Sequence, residues 1–188
     1  MLRALVKTCA FASILSLPIS LTAQQVVHAL TGTVSSINKA GQTIAVLQDV
    51  GGDGVFLNPA TPKNRVNLDK KIEPGTIAAD AFKDNGAYVI VFYYGGSDDR
   101  TAVAFKNLGA GPFSSTVGTV KKFERSRAVT VLDESGKTQT FKIGAETVAE
   151  GYAGAMDGTK FSVQGGDKIR IVSSVVDGNP TALFIRQM

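Results

Sequence analysis

The chain has very few of the residues on which thiol and soft-metal chemistry depend. Its 188 residues include one cysteine, Cys9, one histidine, His28, and no tryptophan. A single thiol cannot form an intramolecular disulfide, and a serine or cysteine nucleophile would have only one histidine to serve as its base. No Gly-x-Ser-x-Gly motif marks a nucleophile. The sequence therefore predicts a protein that is not an enzyme and that carries no cofactor.

Long apolar runs are also missing outside the N-terminal segment, residues 1–23. In that segment Arg3 and Lys7 precede an apolar stretch that ends in small residues, which is typical of a secretory signal peptide. The stretch is interrupted by Ser13 and Pro18 and is shorter than the ~20 residues that span a bilayer. We predict a cleaved signal peptide over residues 1–23, a periplasmic or secreted product and no stable membrane insertion after cleavage. Retention as an N-terminal anchor is the alternative.

Removal of that segment leaves a nearly balanced charge. Of the 20 basic residues, Arg3 and Lys7 lie in the segment, which leaves 18 basic residues against 16 acidic ones. Proteins that bind nucleic acid normally concentrate positive charge on one face, where it displaces phosphate counterions. The sequence therefore predicts no nucleic-acid partner.

What the chain does contain is an internal duplication of short β-type segments. Four segments of the first copy recur in the same order in the second: Gly32-Thr33-Val34 as Gly118-Thr119-Val120, Thr43 to Gln48 as Ala128 to Asp133, Ala87 to Val91 as Asp167 to Ile171, and Arg100 to Phe105 as Pro180 to Ile185. The glycine- and proline-marked stretch between the copies has no periodicity. We predict a first domain over residues 24–108, a linker over 109–112 and a second domain over 113–188.

The segments have the alternation and the turns of antiparallel strands. Lys168-Ile169-Arg170-Ile171 alternates strictly between polar and apolar residues, so we expect each strand to bury one face. Glu134 to Lys137 and Asp177 to Pro180 have the glycine-containing composition of tight hairpin turns. Alanine-rich stretches from Pro74 to Lys83 and from Ala145 to Met156 predict a short helical insert in each copy.

Five strands with a short helix after the third is the layout of an OB-type barrel, which closes on itself and hides its strand edges. The predicted fold class is therefore all-β, with two tandem small OB-like β-barrels and a short helical insert in each.

The second copy also carries an ordered set of turn and core motifs: Gly118-Thr119-Val120, Ala128 to Val131, Gly136-Lys137-Thr138, Gly166-Asp167-Lys168-Ile169 and Thr181-Ala182. In this order it resembles a large family of exported bacterial domains of unknown function. The resemblance implies export and a small barrel, and it implies no activity. The first copy departs from the pattern, with a long excursion from Gly51 to Ile72 and with Asn85 to Tyr88 in place of the Gly-Asp-Lys turn.

The densest aromatic run, from Tyr88 to Tyr94, is the candidate binding surface. OB-type barrels bind oligosaccharides or single strands on faces lined with aromatic side chains, which makes Tyr88, Phe92 and Tyr94 candidate ligand-binding residues. The alternative, which the pattern favours, is a strand that is apolar on both faces because the two domains pack together.

Two further features of the sequence have some of the residues of a metal site. Small barrels that bind copper combine a histidine with methionines and a tryptophan, but Met156 and Met188 do not fit that arrangement, so His28 is expected to be a solvated strand-edge residue. Asp49 to Gly54 resembles a calcium loop but lacks the further ligands, which favours a hairpin turn. The sequence predicts no metal site.

The sequence therefore predicts a non-catalytic exported module that binds or scaffolds an unknown protein or glycan of the bacterial cell envelope. A periplasmic metal-binding protein and an enzyme of unrecognised type are the alternatives.

Overall fold

The computed structural model describes residues 25–40, 42–57, 68 and 70–188, and these are organised almost entirely as strands. The described residues contain twelve strands: β1 (His28–Asn38), β2 (Thr43–Gln48), β3 (Gly52–Leu57), β4 (Thr76–Ala78), β5 (Tyr88–Tyr94), β6 (Thr101–Asn107), β7 (Ser114–Glu124), β8 (Ala128–Asp133), β9 (Thr138–Gly151), β10 (Gly154–Asp157), β11 (Lys168–Val176) and β12 (Asn179–Gln187). One turn of 3₁₀ helix, Ala79–Ala81, follows β4. The signal peptide predicted for residues 1–23 lies outside the described residues. No helix in the described ranges has the length and apolar character needed to cross a membrane.

The strands form two six-stranded sheets, one from each half of the chain. The first sheet has the order β3-β2-β1-β5-β6-β4, and the second has the order β10-β9-β12-β11-β7-β8. In the second sheet β8 also pairs with β9, so that five strands close into a barrel. In the first sheet β3 also pairs with β6 at one residue pair, Leu57 with Thr101, beside a 2.8 Å hydrogen bond from the Leu57 N–H to the Arg100 carbonyl. The all-β prediction is confirmed.

Gly32 in β1 and Gly118 in β7 have the same structural role in the two sheets. A Cβ at Gly32 would lie 2.4 Å from the Leu47 carbonyl oxygen, and a Cβ at Gly118 would lie 2.7 Å from that of Leu132. Each strand has a β-bulge directly after the valine that lies two residues beyond this glycine, Val34 in β1 and Val120 in β7. The matched Gly-Thr-Val segments therefore mark the position where the neighbouring strand passes closest.

The register of the last strands also coincides. In the first sheet Ile90 of β5 pairs with Lys106 of β6, and in the second sheet Arg170 of β11 pairs with Arg186 of β12. A bulge follows two residues after Ile90 and two residues after Arg170. Ile90 and Lys106 thus hold the places in the first sheet that Arg170 and Arg186 hold in the second.

The helical insert predicted from Ala145 to Met156 is wrong. These residues belong to β9 and β10, which pair antiparallel across a tight turn. Their alanines suggested a helix, but Val148 packs against the first sheet and Ala149 lies inside the second barrel, so the strand is covered on both faces. In the first copy, the stretch from Pro74 to Lys83 holds β4 and the single 3₁₀ turn.

Three clusters of buried apolar side chains organise the molecule. The first sheet has one cluster as its core, the second sheet has another, and the third cluster joins the two sheets. The joining cluster has Ala29, Ile90, Phe92 and Ala104 from the first sheet and Val148, Val172 and Phe184 from the second. The two sheets are therefore packed against each other through their outer faces.

Candidate functional site

The three aromatic residues predicted as a binding surface do not gather on an exposed face. Phe92 has no exposed surface and belongs to the cluster that joins the sheets. Tyr94 is 8% exposed, and Tyr88 is half-buried with its ring centroid 4.9 Å from that of Phe113. Phe92 and Tyr88 thus pack between the sheets, which was the alternative interpretation of the aromatic run.

A group of polar side chains around the buried Thr31 and Arg170, the Asp49 cluster, also joins the sheets and includes the more exposed Asp49 and Tyr88. The Arg170 guanidinium, only 3% exposed, donates to Asp49 Oδ2 and to Thr31 Oγ1, each at 2.9 Å. The hydroxyls of Thr31 and Tyr88 donate to the same Asp49 oxygen, at 2.6 and 2.5 Å. Arg170 Nε has no hydrogen-bond partner among the described residues. The cluster thus fixes how one sheet sits on the other.

The turn that carries Asp49 was predicted correctly, but its contact was not. β2 ends at Gln48 and β3 begins at Gly52, so the predicted hairpin turn is confirmed. The Asp49 carboxylate, however, faces Arg170, which lies 121 residues away in the chain. Burial, and then the hydrogen bond to Asp49, raise the pKa of Tyr88 well above its ordinary value, so Tyr88 acts here as a hydrogen-bond donor.

A cleft of about 380 Å³ opens between the two sheets. Its lining comes from both halves of the chain: His28, Tyr93, the loop 95–97 and Arg100 from the first, and Glu150, Gly151, Tyr152, Arg186 and Gln187 from the second. The cleft thus combines cationic groups, two tyrosine rings and one carboxylate.

Glu150 lines the cleft and is hydrogen-bonded to the first sheet. Its Oε1 is 2.7 Å from His28 Nδ1, and its Oε2 accepts a 2.8 Å hydrogen bond from the Ala29 N–H. Glu150 is 7% exposed, and desolvation raises its pKa although the bond to His28 acts in the opposite direction. His28 was expected to be solvated, but it is half-buried and paired.

The two arginines of the cleft differ in how they are held. The Arg100 guanidinium lies 5.3 Å from the centroid of the Tyr93 ring, and its Nη1 donates to Gln48 Oε1 at 3.2 Å. Cation–π contact and the hydrogen bond therefore fix Arg100 while leaving other N–H groups free to donate. Arg186 is half-buried, and it makes no hydrogen bond or ion pair with any described residue.

The other sizeable depressions carry less chemistry. Two of them, of about 310 and 470 Å³, share the residues Ile37, Asn38, Lys39 and Lys83 near the β1–β2 turn. Their lysines are exposed, and the one aromatic residue in the two linings is the buried Phe82. We therefore take the cleft between the sheets as the candidate site, although one of these depressions is larger.

Sequence reasoning missed Arg100, Glu150 and Arg186. One local signal was available, since Glu150 and Arg186 each lie two residues from a buried apolar residue on the same strand face, namely Val148 and Phe184. A charge on such a face points to a partner outside its own sheet. Nothing local tells which partner that is. The described residues contain no group of three or more histidine, cysteine, aspartate or glutamate side chains that would hold a metal ion.

Comparison of the chain with protein-family models, curated proteins and solved structures gave no match.

Proposed function

We propose that the chain is a non-catalytic binding module that is exported to the bacterial cell envelope and that takes its ligand in the cleft between the two sheets. The observation that carries this proposal is the composition of the cleft, in which Arg100, Arg186 and two tyrosines from distant parts of the chain line one space. Binding sites typically combine aromatic walls with a few convergent polar groups in this way.

The topology of the two sheets supports the proposal that the chain forms two tandem OB-like barrels. In each half five strands have the same order, with a parallel pair between the third and the fifth of them and with bulges at matching positions. The sixth strand differs, since β4 pairs with β6 and β10 pairs with β9. An OB-type barrel is a frequent scaffold for oligosaccharide and single-strand binding. The coincidence of register between Gly32 and Gly118, and between Lys106 and Arg186, supports duplication of one ancestral unit.

Binding fits the cleft better than catalysis does. The one carboxylate in the cleft, Glu150, uses both oxygens on His28 and Ala29 and is withdrawn from solvent. A general base needs a lone pair that reaches the substrate. Glu150 is therefore a structural group that shapes the cleft, and the ligand would be held rather than transformed.

A ligand screen with a blocked cleft tests the proposal. The protein is exposed to a panel of envelope saccharides, peptidoglycan fragments and small metabolites, and binding is followed by ligand-observed NMR. Ser97 lies exposed on the cleft loop, and its hydroxyl contacts only the neighbouring Asp98 at 3.2 Å. Ser97→Trp should therefore fill the mouth of the cleft without disturbing the core, and it should abolish binding of the hits.

The matched control is Lys137→Trp, which places the same large side chain on the exposed β8–β9 turn. Hits that Lys137→Trp retains and Ser97→Trp loses support the cleft. A panel whose hits all bind Ser97→Trp as well as the unchanged protein would refute it, and so would turnover of any hit.

A further inference from the structure

Arg186 stands in the middle of a row of three charged side chains on the outer face of the second sheet. Glu150 in β9 pairs with Arg186 in β12, which in turn pairs with Arg170 in β11. Paired residues of neighbouring strands project to the same face, so all three point toward the first sheet. The two outer residues of the row are hydrogen-bonded to the first sheet, Glu150 to His28 and Arg170 to Asp49. Arg186 alone has no hydrogen-bond or ion-pair partner among the described residues.

The first sheet shows what an equivalent cation does when it has a partner. Lys106 holds the place in the first sheet that Arg186 holds in the second. Its ammonium group, although largely buried, is 2.6 Å from Glu146 Oε2 and donates to the Glu146 carbonyl oxygen at 3.1 Å. Each sheet thus presents one cation at this position to the other sheet. The cation of the first sheet forms an ion pair with a carboxylate, whereas Arg186 interacts electrostatically with Glu150 but forms no ion pair with any described residue.

The surroundings of Arg186 favour an anion from outside the chain. A half-buried guanidinium has lost part of its hydration, and its five N–H donors suit the planar oxygens of a carboxylate or phosphate. Arg100 lines the same cleft and keeps donors beyond its bond to Gln48. The charge of Glu150 acts on Arg186, but both Glu150 oxygens are bonded to His28 and Ala29, so Glu150 does not accept a hydrogen bond from the Arg186 guanidinium.

The aromatic rings of the cleft indicate the rest of the ligand. Tyr93 is half-buried between the His28 ring, with centroids 5.8 Å apart, and the Arg100 guanidinium. Tyr152 stands exposed at the other wall, with its hydroxyl directed to the chain's last carbonyl at 3.5 Å. Tyr152 is the tyrosine whose ring is open to a ligand, and its apolar face can pack on the C–H face of a sugar ring. A cleft of about 380 Å³ admits a molecule of one or two rings.

We infer that the cleft binds an anionic saccharide, a sugar that bears a carboxylate or a phosphate, and that Arg186 and Arg100 receive its charged group. This inference rests on the proposed function, since it names the ligand class of the same cleft. Uronic acids and sugar phosphates share the required chemistry, and the experiment compares them.

The test uses glucuronate, glucose 1-phosphate, inorganic phosphate and uncharged glucose as probes, with the arginine side-chain Nε–H signals and the backbone amides followed by NMR. Both charged sugars should shift the Arg186 and Arg100 signals and bind more tightly than glucose. Arg186→Gln should weaken them about tenfold or more, because a charge-assisted bidentate contact is lost. Arg186→Lys should recover part of the affinity, since it keeps the charge but loses the planar fork. Tighter binding of glucose 1-phosphate than of glucuronate assigns a phosphosugar, and the reverse order assigns a uronic acid.

Arg125→Gln is the matched control, because Arg125 is exposed and lies outside the cleft lining. It removes the same charge and should leave the affinities unchanged. Inorganic phosphate alone should bind more weakly than glucose 1-phosphate. Equal affinities for the two would show that the cleft recognises only the anion, and would overturn the inference that it binds a sugar. If glucose binds as tightly as the charged sugars and shifts cleft signals, the inference fails while the proposed function stands. If the charged sugars shift only signals outside the cleft, or if none of the probes shifts any signal, the inference fails, and the blocked-cleft screen then decides the proposed function.

Discussion

Replacement of Asp49 by alanine should destabilise the protein more than replacement of its partner Arg170. Asp49→Ala leaves a guanidinium that is 3% exposed without its counter-charge, and Arg170 Nε already lacks a partner among the described residues. Arg170→Met leaves a carboxylate that still accepts hydrogen bonds from Thr31 and Tyr88 and whose side chain is 22% exposed. The buried guanidinium of Arg170 therefore depends on the ion pair more than the partly exposed carboxylate of Asp49 does.

The magnitudes follow from this asymmetry. Removal of one partner of a buried ion pair costs about 3–5 kcal/mol, and the partial exposure of Asp49 sets the loss for Asp49→Ala near the lower end, about 3 kcal/mol. Arg170→Met should cost about 1–2 kcal/mol, since methionine keeps apolar contact with Phe184, over whose ring the guanidinium lies at 5.8 Å. The double variant should cost less than the sum of the two, because the orphaned cation has been removed.

Urea unfolding of the four proteins, followed by far-UV circular dichroism, measures these differences. The slope of the free energy of unfolding against urea concentration should stay constant across the set, which shows that the same surface becomes exposed. A cost below about 1 kcal/mol for Asp49→Ala, the range of solvent-exposed pairs, would show that Arg170 is solvated in the native protein. A larger loss for Arg170→Met than for Asp49→Ala would likewise refute the reasoning.

Three further expectations concern the fold. Phe92→Ala should lower the free energy of unfolding by about 3–5 kcal/mol in urea titrations, because the ring is fully buried between the sheets, and a loss under about 1 kcal/mol would contradict that packing. Gly32→Ala should cost more than about 1 kcal/mol through its clash with a backbone oxygen, whereas Gly144→Ala, with no atom within 4 Å of its Cβ, should be close to neutral in the same assay. The hydroxyl of Ser135, followed by backbone N–H groups, lowers the pKa of Asp133 to about 2 from 3.8, so its stabilising effect is full above pH 3.8 and is lost as the pH falls toward 2. NMR titration of the carboxyl carbon reads that pKa directly, and Asp133→Asn should remove this part of the acid dependence.

The sequence was sufficient for features that depend on neighbouring residues. The turns at Gly136 and Gly178 join the strands expected of them, and both glycines have positive φ, 82° and 75°. Period-two alternation gave the strands themselves, because a strand that buries at least one face needs apolar residues on it. Local chemistry therefore accounts for the all-β class and for most of the hairpins.

The errors arose where two sheets cover one strand. The alternation of Lys168 to Ile171 predicts one buried face, yet the first sheet also covers the face that carries Arg170. The small residues from Ala145 to Met156 suit a helix, and their succession does not show which faces of a strand are covered. Both errors have one cause, since the local patterns of these two segments do not show that a distant segment covers them.

The candidate site was beyond local reasoning for the same cause. Glu150 meets His28 across 122 residues of sequence, and Arg186 lines a space with Arg100 from the other half of the chain. The aromatic run drew attention because it was dense. Density of this kind marked the contact between the sheets, and the cleft beside it is lined by residues that are individually unremarkable.

The cleft has a wall from each sheet, and this makes ligand affinity and docking of the sheets two aspects of one equilibrium. A molecule that touches both walls bridges them, so its binding must favour the docked arrangement by the same free energy with which docking favours its binding. Substitutions in the Asp49 cluster, whose residues do not line the cleft, would then weaken the affinity for the proposed ligand to the extent that they increase the population of undocked sheets. A ligand bound in this way would hold the two sheets together. A partner protein that binds docked and undocked sheets with different affinities would then respond to the presence of the ligand.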